Sequence, residues 1–316
     1  MTVCFTPSTA VQAMDHDSCA ISAAHRILID VESCAAGQAF LHVSVIHAFC
    51  QTVCDAIESM PDTLIVICPN DDTASSLRNA VLLYGAYLIL CTDETVSGVV
   101  DRLRDGSAAP AGIDRRLALD DASIIDAWAA LCRARALNWL AAPDCADAPA
   151  LDMDMAAHYA LPANGGLHIL APDRLLSFPS PAPLPAGQAW ADADAAGDHE
   201  PGRRFSAGFL AELLADLGVS VVVCLGRTSG GDAAAFRACG LDVHDLGLDA
   251  GRPALLRGMD RLLALARAAP GAVAMCGWGG DEAGMGRECV RTLGAAWLMT
   301  EAGFDAGSAE AWVGMM

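Results

Sequence analysis

A chain of 316 residues, 54% of them hydrophobic, carries enough apolar material for two cores of ordinary size. Its net charge of −20, with nineteen basic residues that are all arginine, argues against nucleic acid and anionic membranes as partners and favours a basic protein segment or a larger assembly. Thirteen cysteines at scattered spacings, without the paired pattern of a zinc ribbon, argue against a disulfide framework and a structural metal, and no cofactor is expected.

Residues 1–25 show no sustained period and are expected to form a loose tail or an edge segment. They carry no basic start and no secretory pattern, and the apolar runs 81–91 and 219–225 are too short for the roughly 20 residues of a bilayer span. A cytoplasmic or nuclear chain is the expectation, with cytoskeletal or ciliary association as one setting. Apolar residues at helical spacing (Leu41, Val45, Phe49, Val53, Ile57) predict a helix over 41–60, which Pro61 stops. A buried strand over 64–68 follows, then helices over 75–91, 96–104 and 124–137.

Pro143, Pro149 and Pro162, set among Asp147, Asp152 and Asp154, mark a connection between domains. The expected division is a tail 1–25, a first domain 26–145, a linker helix 146–165 and a second domain 166–316. In the second half, short strands at 168–170, Leu175–Phe178, 219–225, 243–246 and Ala272–Cys276 alternate with helices, which is the α/β pattern. The last strand runs into a glycine-rich loop, and a helix is expected over 291–301.

A buried strand, a glycine-rich loop and a helix start in that order can hold an anion, because loop amides and the helix dipole aim positive charge at one point. Cysteine-dependent phosphatases place a cysteine at the end of such a strand and an arginine six positions later. Their cradle lowers the thiol pKa, and the arginine grips the phosphate oxygens. Cys276 stands at the strand end, but six positions on is Glu282, and Met275 precedes the cysteine. Counting back six from Arg287 instead reaches Asp281. Under either alignment the cysteine and the arginine are not six apart. Taken alone, Cys276 reads as a small buried residue, Gly277, Gly279 and Gly280 as a turn, and Arg287 as a helix-start cap or ion pair.

The order of segments resembles the tandem-domain, mitotic-exit type of dual-specificity protein phosphatase. The resemblance is carried by 79–87 (NAVLLYGAY), by Ala157, His158 and Tyr159 with Asn164, Gly165 and Gly166, by 168–183 (HILAPDRLLSFPSPAP), and by 219–225, 236–240 and 243–249. It implies an α/β fold of two tandem dual-specificity-phosphatase-like domains, each a mixed, mainly parallel sheet flanked by helices, the first of them degenerate. It also implies that Asp249 occupies the general-acid position; by itself an aspartate in a glycine and proline turn is a turn former. With the helix taken from Thr292, the loop after Cys276 is expected to be seven residues too long, and the family's water-positioning glutamine would lie beyond Met316. A catalytically inactive member that binds protein is the leading expectation. The alternative is an active phosphatase in which a refolded loop brings Arg287 over Cys276, with Asp249 as acid.

Overall fold

The computed structural model describes residues 3–5, 25–29, 40–59, 65–69, 73–105, 121–142, 149–193, 202–226, 229–248, 252–277 and 283–316. The chain is mixed α/β and separates into two compact units, Met1–Ala150 and Leu151–Gly314.

In the first unit, β1 (Val3–Phe5), β2 (His25–Ile29) and β3 (Ile65–Pro69) form a parallel sheet with β3 in the middle. Val3–Phe5, within the stretch expected to be a tail or an edge segment, is an edge strand. Three residues are too few to show a period, and pairing with β3 defines it. Helix α1 (Val43–Ser59) turns Ile46, Phe49, Cys50 and Val53 inward. Helix α2 (Ala74–Cys91) is capped by Thr73, whose hydroxyl accepts the Ser76 N–H. It is buried on all sides from Asn79 to Leu90, as befits a helix at the middle of a core. Helices α1, α3 (Val96–Asp105) and α4 (Ala122–Ala136) pack around it. Contrary to the expectation that no stretch reaches the length of a span, α2 is long and apolar enough by composition to cross a bilayer, yet most of it is covered by the protein itself. At Gly85 the Trp128 ring of α4 lies so close that a Cβ has no room, and the indole N–H donates to the Leu82 carbonyl at 3.1 Å.

The second unit begins inside the expected linker with α5 (Met153–Ala160), which packs on β4 (His168–Ala171). A turn with Asp173 at φ 56° joins β4 to β5 (Leu175–Phe178). An exposed hairpin of β6 (Trp190–Asp192) and β7 (Arg203–Phe205) follows, then α6 (Ala207–Asp216), β8 (Val219–Cys224), α7 (Gly230–Ala238), β9 (Asp242–Asp245) and α8 (Arg252–Ala268). Strand β10 (Ala272–Cys276) leads into α9 (Ala283–Trp297), one π turn (Leu298–Ala302) and α10 (Ala306–Met315).

Five of these strands make one sheet in the order β4-β5-β10-β8-β9, parallel except for β4. The chain skips a place between β5 and β8, and β10 returns to fill it. Every side chain of β10 is buried, so both faces of the sheet are covered there, which explains the unbroken apolar run Ala-Val-Ala-Met-Cys. Helices α6 and α7 pack on each other, as do α8 and α9. The α10 residue Trp312 donates its indole N–H to the Leu170 carbonyl at 2.8 Å.

The helix expected over 291–301 begins eight residues earlier, at Ala283, and gives way to the π turn after Trp297. Gly284 and Gly286 lower helix propensity and make the first turn read as loop, but the helix forms there, with the Gly286 backbone close against Gly277 at the end of β10.

Candidate functional site

The carboxyl ends of β5, β10, β8 and β9 lie along one edge of the sheet, the edge at which ligands bind in open parallel sheets. Cys276 ends the central strand, and its register partner on β8 is Cys224. Both side chains are fully buried, and the Cys276 thiol donates to the Cys224 sulfur at 3.6 Å. The ladder continues beyond the strands. Leu225 N–H donates to the Cys276 carbonyl at 3.0 Å, Leu246 N–H to the Cys224 carbonyl at 2.8 Å, and Leu248 N–H to the Leu225 carbonyl at 2.8 Å.

Burial pushes the Cys276 thiol well above its ordinary range. The contact with Cys224 acts in the same direction, and so do the carboxylates of Asp245, at the end of β9, and Asp232, in the first turn of α7. Asp232 is held there by its own cap, in which the Ser229 hydroxyl accepts the Asp232 N–H at 3.1 Å. A nucleophilic cysteine needs a field of the opposite sign, one that favours the thiolate.

The first residue after the strand is fixed from two sides. The Ser180 hydroxyl, just beyond β5, donates to the Gly277 carbonyl. A Cβ at Gly277 would meet the Gly286 backbone of α9 at 2.7 Å, so glycine is demanded by close approach. Because α9 starts at Ala283, only residues 277–282 separate it from Cys276. This corrects the expectation of a loop seven residues too long: the surplus lies in the first turns of the helix.

Met275 is fully buried, with its methyl 3.7 Å from where a Cβ on Gly294 of α9 would sit. Arg287 is exposed on α9 and makes no hydrogen bond or ion pair among the described residues. The backbones beside Cys276 and Arg287 thus come together at Gly277 and Gly286, while one side chain is sealed in the sheet and the other faces water. Asp249, Asp281 and Glu282 lie outside the described residues. Cys224, Asp232, Asp245 and Ser180 were not singled out from sequence; the matching ends of two apolar strands, Val-Val-Val-Cys and Val-Ala-Met-Cys, were the available signal for the first. Among the described residues no group of three or more histidine, cysteine or carboxylate side chains could hold a metal. In comparison with known proteins, the chain matches no family model and no curated protein.

Proposed function

We propose that this chain is a protein-binding component built on the tandem dual-specificity-phosphatase fold, and that it does not hydrolyse phosphate esters. The Cys224–Cys276 contact carries the reading: Cys276, the cysteine at the nucleophile's position, is buried against a second thiol, and its surroundings favour the protonated form. The strand order, with a cysteine closing the middle strand and a helix starting soon after, supports the phosphatase-like architecture of the second unit.

The corrected helix start sharpens the comparison with a working cradle. Glu282 stands six positions after Cys276 and directly before the first residue of α9, so the loop length is ordinary and the residue at the clamp position has the wrong charge. A carboxylate about 4 Å from a phosphate costs roughly 1 to 4 kcal/mol per charge pair between bulk water and a protein surface. Asp281 and Glu282 put two carboxylates among the six residues between Cys276 and α9, and Asp232 and Asp245 act on the thiol from neighbouring elements. The loss of a bidentate arginine removes the strongest attraction available.

With phosphate disfavoured, the net charge of −20 selects a basic protein segment as the partner. Hydrolysis of p-nitrophenyl phosphate is the direct test. Wild-type protein and Cys276→Ser should both match buffer, and turnover that disappears in Cys276→Ser refutes the proposal. An arginine-rich peptide should bind the full chain with an affinity that falls as salt rises.

A further inference from the structure

The sheet register sets Cys224 and Cys276 directly opposite each other on neighbouring parallel strands. Neighbouring strands lie about 4.8 Å apart, and disulfides span Cα separations of about 4.4 to 6.8 Å, so the backbone is already at bonding distance. The sulfurs stand 3.6 Å apart and touch. Hydrogen bonds at Leu225, Leu246 and Leu248 hold the strand ends in register, so the two thiols meet without any movement of the main chain.

The geometry points to a modification site: Cys224 and Cys276 form a reversible intrachain disulfide when the protein meets a hydroperoxide. In the first step one sulfur, as thiolate, attacks a peroxide oxygen. The O–O bond breaks, a sulfenic acid forms, and the other oxygen leaves as water with the proton lost by the thiol. In the second step the facing sulfur displaces the sulfenic hydroxyl, the S–S bond forms and a second water leaves. Two thiols and one hydrogen peroxide thus give one disulfide and two waters, the peroxide taking two electrons.

Burial makes the first step slow, since a protonated and covered thiol is a poor nucleophile. It makes the second step fast, because the resolving sulfur is in contact and no bulk thiol can intercept the sulfenic acid. The product joins β8 to β10 at their carboxyl ends, across the middle of the sheet. This inference does not depend on the proposed function, because neither step uses phosphate or a partner protein.

Reduced full-length protein is treated with hydrogen peroxide, the remaining thiols are alkylated in denaturant, and tryptic peptides are read by mass spectrometry. The expected product is peptide 205–227 joined to peptide 268–287, lighter by two hydrogens than the sum. Because the bond closes a chain segment of 52 residues, the melting temperature of the second unit should rise by on the order of 10 °C. Dithiothreitol should reverse both changes, and in Cys224→Ala the rise should be absent. Recovery of both cysteines as alkylated thiols overturns the inference, as does Cys276 found as sulfinic acid or joined to another cysteine, or a rise that persists in Cys224→Ala.

Discussion

Replacing Gly277 by alanine tests whether the end of β10 packs on α9 as closely as the site requires. The new Cβ would lie 2.7, 2.8 and 2.9 Å from the carbonyl carbon, oxygen and Cα of Gly286, all main-chain atoms that cannot swing aside. Ordinary contact begins at 3.4 Å, so the first turns of α9 must retreat by 0.5 Å (3.4 − 2.9) to 0.7 Å (3.4 − 2.7). Overpacking of this kind costs about 1 to 3 kcal/mol, and alanine returns about 0.4 to 1 kcal/mol by restricting the unfolded chain. Taking the middle of each range, the net loss is about 1.3 kcal/mol, or about 3 to 5 °C in melting temperature for a unit of this size. Gly208→Ala is the matched control, since Gly208 is exposed in α6 and its nearest neighbour is the Ser206 hydroxyl at 4.0 Å. Helix propensity should make that variant more stable by up to about 1 kcal/mol. Calorimetric melting of both variants reads the difference, and hydrogen exchange should quicken in the first turns of α9 in Gly277→Ala alone. If Gly277→Ala melts at or above the wild-type temperature while Gly208→Ala gains as expected, the close approach is wrong.

Two further substitutions probe the cores. Gly85→Ala should destabilise the first unit by about 1 to 2 kcal/mol in urea unfolding, because the clash with fully buried Trp128 exceeds the roughly 1 kcal/mol that alanine gains in a helix; a stabilised variant would refute the packing. Burial holds the His168 imidazole below its ordinary range, against a smaller opposing effect of its bond to the Met316 carbonyl. Its contribution to stability is therefore complete above the unfolded pKa of about 6.5 and drains away as pH falls through the lower folded value. Unfolding free energies measured from about pH 7 down to pH 5 should fall more steeply for wild type than for His168→Gln, and equal slopes would disprove it.

Legibility in the sequence followed burial. Strand β10 read as a continuous apolar run, and β5 and β8 as apolar runs broken by one serine each (Ser177, Ser220), because a strand in mid-sheet is covered on both faces, and α1 read from its one-sided stripe. The hairpin β6–β7 left no trace, since three-residue strands with exposed Trp190, Arg203 and Arg204 show no alternation. Gly284 and Gly286 disguised the start of α9, where tertiary contact at Gly277 overrides propensity. The thiol pair was invisible for a different reason. Cys224 and Cys276 are 52 positions apart, and they meet only because β10 enters the sheet beside β8 in one particular register. No local pattern encodes that.

On the proposed reading, the fold and the lost chemistry separate because they depend on different residues. The sheet is secured by Val222, Val223, Val273, Ala274 and Met275, none of which is accessible to water, and by helices packed on its strands. In the sequence, positions 281 and 282 lie outside the strand residues that build that core, and a negative charge there opposes an anion rather than attracting one. A nucleophile, moreover, has to stand clear of the last strand pair with amides converging on it. Here the ladder runs on past Cys276 through Leu225, and the thiol turns into the sheet toward Cys224. Restoring an arginine at position 282 would therefore not suffice for catalysis: the sulfur would still be covered, and its proton would still be held by burial and by two nearby carboxylates.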